Sequence, residues 1–161
     1  MAPRFALITQ NVDRLHRKAG SRRVLEVHGN IWEVRCTGCG RTYDKTGETL
    51  PELPCCVECK GLLRPCVVWF GESLPLDVWA ESERAVAECD CLLVIGTSAH
   101  VHPAAGLAWT AAQAGAKVIE INLEPTPARE ITALGLYGPA GAILPELVAR
   151  MKRLRASMAE A

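Results

Sequence analysis

Short apolar runs separated by polar stretches recur along the whole chain. Runs rich in Val, Ile and Leu are typical of β-strands that are covered on both faces. We predict such extended segments at 5–9, 24–27, 31–35, 67–70, 91–95 and 117–121. Helices are predicted at 76–88 and 103–114, and a last helix carries one apolar face, formed by Leu144, Leu147, Val148, Met151 and Leu154. This alternation predicts an α/β fold with a Rossmann-like parallel sheet.

Several of the predicted strands end in polar side chains. These chain positions are Gln10-Asn11, His28, Thr97-Ser98 and Asn122. One polar strand end by itself is as typical of an ordinary turn as it is of a binding site. Because ligands bind at the carboxyl ends of parallel strands, the joint occurrence of four such ends predicts a shared cleft.

The segment 36–64 is rich in turn residues and contains two pairs of cysteines. Cys36 and Cys39 form one CxxC pair, and Cys56 and Cys59 form the other. Each pair directs two thiolates to one metal, and two pairs complete a tetrahedron with no open position. We therefore predict one structural Zn²⁺ per chain, although Cys55 is an alternative to Cys56. The predicted domains are the module 36–64 and a Rossmann-like domain formed by 1–35 and 65–161.

Composition and charge exclude several functional classes. Lys plus Arg equals Asp plus Glu, at 18 each, so no basic field favours nucleic acid. No apolar run reaches the roughly 18 residues of a membrane span, and no secretory leader is evident. The eight cysteines could indicate a secreted disulfide scaffold, but a chain of this length and the CxxC spacing favour a metal site. We expect a cytoplasmic protein without nucleic-acid or membrane partners.

Six motifs in order resemble the sirtuins, from about residue 5 to residue 150. They are Thr9–His16, Val27-His28-Gly29, the paired cysteines, Arg64–Glu72, Gly96-Thr97-Ser98 and Asn122-x-Glu124. The Arg64–Glu72 run is most similar to the class III branch. The resemblance implies an NAD-dependent protein-lysine deacylase, of deacetylase or desuccinylase type, that releases nicotinamide and O-acyl-ADP-ribose. Its partners would be acyl-lysine-bearing proteins; the sequence indicates neither the targets nor the oligomeric state.

The resemblance also implies roles for individual residues. His28 matches the catalytic histidine, which accepts a proton from a ribose hydroxyl after nicotinamide leaves. The positions that match NAD-binding residues are Gln10, Asn11, Val12, Asp13, Gly96, Thr97, Ser98, Asn122, Leu123, Glu124 and Ala140. The positions that match the substrate-binding segments are Val67, Val68, Phe70, Gly71, Glu72 and Val101. Trp69, within that run, is equally typical of a core residue.

The chain departs from the family pattern at its front. The glycine-rich Gly-Ala-Gly-x-Ser segment of sirtuins, with the first strand and the phosphate loop, has no match in this sequence. We expect two strands of the sheet to keep an unpaired edge as a result. The acyl-selecting residues of class III also lie upstream, which leaves the acyl group open. The alternatives are therefore an inactive, zinc-stabilised fragment that acts as a binding module, or a truncated gene model.

Overall fold

The structure is a computed structural model that describes residues 4–159, so residues 1–3 and 160–161 of the predicted Rossmann-like domain lie outside it. The chain forms two compact units, Met1–Ser82 and Glu83–Ala161. Helix α2, Leu76–Ala87, contains the boundary between them. The boundary between the two units therefore lies after the cysteine-bearing segment 36–64, and that segment belongs to the first unit.

The first unit contains two small sheets. Strands β1 and β2 pair in parallel, from Leu7 opposite Val24 to Thr9 opposite Glu26. The second sheet is antiparallel, in the order β4-β3-β5. The elements are β1 Leu7–Thr9, α1 Leu15–Lys18, β2 Val24–Glu26, β3 Gly29–Cys36, β4 Thr42–Asp44 and β5 Leu63–Val67. Val24, Leu25, Val27 and Val34 are buried and form the apolar interior of this unit.

Gly29 connects the two sheets of the first unit. It begins β3 with a φ of +68° and pairs with Val67 of β5. A Cβ at this position would lie 1.8 Å from the carbonyl oxygen of Cys66. Only glycine fits both the positive φ and this close approach of the backbone. The turn Val27-His28 is thereby held directly against the end of β5.

The second unit contains a parallel sheet in the order β6-β7-β8. Helix α3 follows β6, and a 3-10 helix, Pro127–Ile131, lies between β7 and β8. The elements are β6 Cys91–Ile95, α3 Gly106–Gln113, β7 Lys117–Asn122, β8 Leu134–Tyr137 and α4 Ala140–Ala159. Val118 and Ile121 of the central strand are buried, as the apolar pattern predicts. The parallel pairing in both units confirms the predicted α/β class.

One apolar face of strand β6 is exposed. Within residues 4–159, β6 pairs with β7 alone, and β1 pairs with β2 alone. Leu93 and Ile95 of β6 are 38% and 40% exposed. The sequence Cys-Leu-Leu-Val-Ile predicts a strand covered on both faces, so the exposure of one apolar face differs from that prediction.

The last helix, α4, is long but polar along much of its length. Its side chains from Arg150 onward are exposed wherever the structure describes them. Val148, Met151 and Leu154 of the predicted apolar face are among the exposed residues. Over the described part of the chain, no helix combines the length and apolar character that a membrane crossing requires.

Candidate functional site

The four paired cysteines converge on one point in the first unit. The Sγ atoms of Cys36, Cys39, Cys56 and Cys59 all lie within 4.8 Å of one another. Sγ of Cys36 is 3.3 Å from that of Cys59, and Sγ of Cys39 is 3.8 Å from that of Cys56. These separations are too long for disulfide bonds, which are about 2.05 Å. All four are free thiols in a metal-binding arrangement.

The surroundings of the thiols fit a zinc ion. A tetrahedral ion with Zn–S bonds of about 2.3 Å places its sulfur ligands about 3.8 Å apart. The amides of Gly38 and Cys39 donate to Sγ of Cys36, at 3.3 and 3.4 Å. A Cβ at Gly61 would lie only 3.1 Å from the same sulfur. The donor set and the close backbone therefore match a closed, structural zinc site.

The structure distinguishes Cys56 from its neighbour Cys55. Cys56 is fully buried, and the Tyr43 hydroxyl lies 3.0 Å from its sulfur. Cys55 is exposed, and its thiol donates to the carbonyl oxygen of Leu53. Cys56 is therefore the cysteine that lies in the cluster, as the CxxC spacing predicts.

His28 lies in the turn between β2 and β3, next to the end of β1. Its Nδ1 is 3.3 Å from the backbone carbonyl oxygen of Gln10. Because a carbonyl oxygen can only accept, Nδ1 must carry the hydrogen, which leaves Nε2 with a free lone pair in the neutral ring. The side chain is half-buried. This arrangement prepares Nε2 to accept a proton.

Backbone carbonyl oxygens of the segment Gln10–Asp13 accept hydrogen bonds from residues at the start of β3. The amide of Ile31 donates to the carbonyl oxygen of Val12 at 3.0 Å, and the indole of Trp32 donates to that of Asp13 at 2.9 Å. The carboxylate of Asp13 accepts from the amide of Leu15 at 2.9 Å, where α1 begins. The amide of Asn11 donates to the hydroxyl of Thr9. The predicted nicotinamide-side residues thus lie on a fixed turn close to His28.

The buried carboxylate of Glu26 contacts two residues that follow this turn in the sequence and one residue at the start of β3. It accepts from Arg17 at 3.1 Å and from Asn30 at 3.3 Å, and its other salt-bridge partner is Arg14. Glu26 is 9% exposed, so pairing with cations is required to hold its charge there. Glu26 is not among the predicted site residues, and its position two residues before His28 is the sequence signal that points to it.

The predicted substrate segment begins at the end of β5. The amide of Val68 donates to the carbonyl oxygen of His28 at 3.0 Å, which places Val67 and Val68 beside the histidine. Trp69 and Phe70 are 58% and 99% exposed, so the alternative interpretation of Trp69 as a core residue is wrong. The Arg64 guanidinium instead covers the Trp69 ring, 3.5 Å from its centroid.

Glu72, at the end of this segment, forms ion pairs with two arginines. The Arg64 guanidinium donates to both of its carboxylate oxygens, at 2.5 and 3.2 Å, and Arg35 lies 3.3 Å away. The amide of Trp69 also donates to the carboxylate, at 3.0 Å. The hydrogen bonds from Arg64 and from Trp69 lower the pKa of Glu72 to about 2. The loop that includes Gly71, with φ +87°, is therefore held by a paired anion.

Glu72 predicts a specific dependence of stability on pH. Its pKa is lower in the folded chain than its ordinary value of 4.5, so its stabilising contribution is present above about pH 4.5 and is lost as the pH falls toward 2. We expect the wild-type chain to be more stable than Glu72→Gln at pH 6, and this difference to shrink below pH 4.5. Urea unfolding of both chains across this range measures it. A difference that stays constant with pH would contradict the assigned pairing.

In the second unit, Asn122 connects the carboxyl ends of all three strands. Its side-chain amide donates to the carbonyl oxygen of Thr97 at 2.8 Å, after β6. Its backbone carbonyl oxygen accepts from Gly138 at 2.8 Å, after β8. Its Oδ1 accepts from the amide of Leu123 at 2.9 Å. The predicted cofactor residues 96–98 and 122–124 therefore lie together at one edge of the β6-β7-β8 sheet.

The space beside these residues is open to a ligand. Gly96 has a φ of +60°, and a Cβ there would have no neighbour within 4 Å. Leu123 is 71% exposed, and Glu124 is also exposed. Ala140, two residues after Gly138, begins α4. Val101 is exposed and lies in the loop between β6 and α3.

Comparison with known proteins gives one matching family. The Sir2 family model matches residues 1–103. The NAD-dependent protein deacylase 2 of Pyrobaculum aerophilum is 50% identical over 149 residues, which are 91% of this chain and 59% of that protein. The mitochondrial deacylase sirtuin-5A of Xenopus laevis is 41% identical over 170 residues, 91% of this chain and 55% of that protein. The chain thus spans less than two thirds of the length of these relatives.

Solved structures are similar over nearly the whole chain. A Sir2 homologue in complex with NAD has a TM-score of 0.89 and 46% identity, with 93% of this chain and 59% of that chain covered. Sir2Af2 bound to a myristoylated histone peptide has a TM-score of 0.82 and 43% identity, with 94% and 66% covered. The solved structures that this chain resembles thus include one with NAD and one with an acylated peptide.

Proposed function

The chain belongs to the Sir2 family, and we propose that it carries the catalytic part of an NAD-dependent protein-lysine deacylase. The observation that carries the proposal is the His28 turn. A histidine whose Nδ1 hydrogen is directed to the carbonyl oxygen of Gln10 presents a free Nε2, beside an exposed segment suited to an extended peptide. The relatives named as NAD-dependent deacylases support the reaction type.

In this proposal NAD, when bound, supplies a ribose carbon that releases nicotinamide and accepts the acyl oxygen. His28 accepts the proton of a ribose hydroxyl at Nε2. Gln10, Asn11, Val12 and Asp13 hold the nicotinamide and its ribose, since amide and carboxylate groups give directional hydrogen bonds. In the second unit, the residues proposed to hold the phosphate and adenosine side are Gly96, Thr97, Ser98, Asn122, Leu123, Glu124 and Ala140.

The proposed substrate is an acylated lysine in an extended segment of another protein. Val67, Val68, Phe70, Gly71 and Glu72 of the first unit would contact it. Val101 stays our proposal for a substrate-binding position because it matches the family's second substrate-binding segment. Pairing through main-chain groups grips an extended peptide with little preference for sequence. The four-cysteine site, Cys36, Cys39, Cys56 and Cys59, holds a structural zinc ion and takes no part in proton transfer. The zinc module 36–64 and the flanking Rossmann-like segments remain our proposed domain organisation, and thiol clusters of this kind suit a reducing compartment such as the cytoplasm.

The proposal predicts release of nicotinamide that requires both NAD and an acyl-lysine peptide. We expect turnover with an acetyl- or succinyl-lysine peptide, and none with the same peptide carrying free lysine. Mass spectrometry of the peptide and of O-acyl-ADP-ribose measures the two products together. If a high concentration of the zinc-loaded chain releases no nicotinamide above the free-lysine control, the proposed activity of this chain is wrong.

A second candidate is a binding module without turnover. The exposed apolar side chains Leu93 and Ile95 on β6 favour it, since such patches mark contact surfaces. This candidate predicts binding of the acyl-lysine peptide with no release of nicotinamide. The same pair of measurements, peptide binding and nicotinamide release, therefore decides between the two functions.

A further inference from the structure

Glu120 is a fully buried carboxylate in the middle of the central strand β7. It lies between Ile119 and Ile121 in the second unit and has no exposed surface. The proposed chemistry does not use it. A carboxylate in such surroundings persists only where hydrogen bonds replace its lost hydration. The donors that meet it therefore indicate what it holds in place.

Both oxygens of Glu120 are hydrogen-bonded. Oε1 accepts from the backbone amide of Thr126 at 3.1 Å and from the hydroxyl of the same residue. Oε2 accepts from the Tyr137 hydroxyl at 2.8 Å. The hydrogen bond to Glu120 raises the pKa of Tyr137, so its hydroxyl remains a donor at neutral pH. The carboxylate thus joins β7, the start of the 3-10 helix and the end of β8.

Thr126 is the point at which the loop after β7 ends. Its hydroxyl oxygen accepts from the amide of Ala128 and caps the 3-10 helix Pro127–Ile131. At the other end of the loop, Asn122 is bonded to Thr97 and Gly138. Residues 123–125 between these two anchors are exposed. A short loop fixed at both ends has little freedom to change the direction of the side chains it carries.

We propose that Glu120 is a positioning residue: by binding Thr126, it fixes the loop 122–126 so that Asn122 and Glu124 are presented to the adenosine ribose. This inference rests on the proposed function in one respect, because the proposed function assigns the adenosine ribose to this loop. Because Glu120 is buried beneath the loop, it acts through Thr126 and does not touch the ligand. Its loss should weaken ADP-ribose binding without changing the chemistry at His28.

The test compares Glu120→Met and Thr126→Val with the control Thr110→Val. Glu120→Met keeps a long side chain and removes both acceptors. Thr126→Val replaces a hydroxyl by a methyl group, and it keeps the inference testable if Glu120→Met fails to fold. Thr110→Val makes the same change in α3, where the hydroxyl donates to the carbonyl oxygen of Gly106. ADP-ribose affinity is measured by calorimetry well below the melting temperature of each chain, and the melting temperature is recorded beside it.

We expect the Kd for ADP-ribose to rise about tenfold in Glu120→Met and in Thr126→Val, and to stay near the wild-type value in Thr110→Val. With turnover, KM for NAD should rise while kcat changes little. An unchanged Kd in folded Thr126→Val, or no binding of ADP-ribose by the wild-type chain, would overturn the inference. A wild-type chain that binds ADP-ribose but releases no nicotinamide would instead contradict the proposed activity, and the shift in Kd would still support the role of Glu120.

Discussion

Cys56→Ser is expected to remove the zinc ion from the first unit, whereas Cys55→Ser is expected to leave it bound. The two cysteines are adjacent in sequence, but only Cys56 is buried in the thiol cluster. Serine is a poor zinc ligand, and a site with three thiolates loses both affinity and its closed geometry. The pair of variants therefore applies the same chemical change to a ligand and to its exposed neighbour.

The expected loss is large because the binding energy of a structural zinc ion is also folding energy. The module 36–64 contains the short strand β4 and many turns, so little apolar burial would remain to hold it once the ion is gone. We expect Cys56→Ser to lower the melting temperature of the first unit by about 10 °C or more. The pairing of β5 with β3, and with it the position of Val67 beside His28, should weaken at the same time.

Metal analysis and thermal unfolding together measure this result. Wild type and Cys55→Ser should contain about one zinc ion per chain, as four thiolates complete one tetrahedral site. A strong chelator should lower their melting temperatures toward that of Cys56→Ser and should leave that variant unchanged. Equal loss of zinc in both variants would contradict the assignment, and so would retention of zinc by Cys56→Ser.

The sequence predicts the elements whose apolar runs are continuous. The strand predicted at 91–95 is β6, Cys91–Ile95, and the strand predicted at 117–121 differs from β7 by one residue. The helix predicted at 76–88 ends one residue earlier in the structure. The carboxyl ends of these elements coincide with glycine or polar residues, which are Glu88, Gly96 and Asn122, so local pattern and tertiary pairing agree there.

Elements that depend on a partner strand are harder to predict. The extended segment expected at 67–70 is wrong: β5 is Leu63–Val67, because its pairing with β3 runs back through Arg64 and Pro65. Strand β8, Leu134–Tyr137, was missed, since it is short and interrupted by Gly135. Its neighbour β7 supplies the hydrogen bonds that make it a strand. Pairing across the chain, and not local propensity, determines such segments.

In the candidate site, too, some features could be predicted from the sequence and others depend on partners that only the structure shows. The parallel pairing of β1 with β2, and of β6 with β7, explains why the polar ends Asn11 and His28, and in the second unit Ser98 and Asn122, could be predicted to share a sheet edge. Glu120 could not be placed in the same way. An isolated glutamate between two isoleucines signals a special environment, but only the structure shows that Thr126 and Tyr137 are its partners.

His28→Ala is expected to lower kcat/KM for deacylation by about 100- to 10,000-fold, the range associated with loss of a general base. The fold should survive, because the carbonyl oxygen of residue 28 still accepts from Val68 and the lost side-chain bond is the one to Gln10. His16→Ala provides a matched control. It makes the same change on α1 of the same unit, outside the turn that presents Nε2.

The timing of the proton transfer sharpens this prediction. In the proposed reaction His28 acts after nicotinamide has left, so its loss should block acyl transfer more than the exchange of labelled nicotinamide into NAD. We expect His28→Ala to keep measurable exchange with an acyl-lysine peptide present, while O-acyl-ADP-ribose falls to background. His16→Ala should keep both. Equal loss of exchange and deacylation, in a variant that melts like the wild-type chain, would show that His28 is needed before nicotinamide departs and would contradict its assignment as the later base.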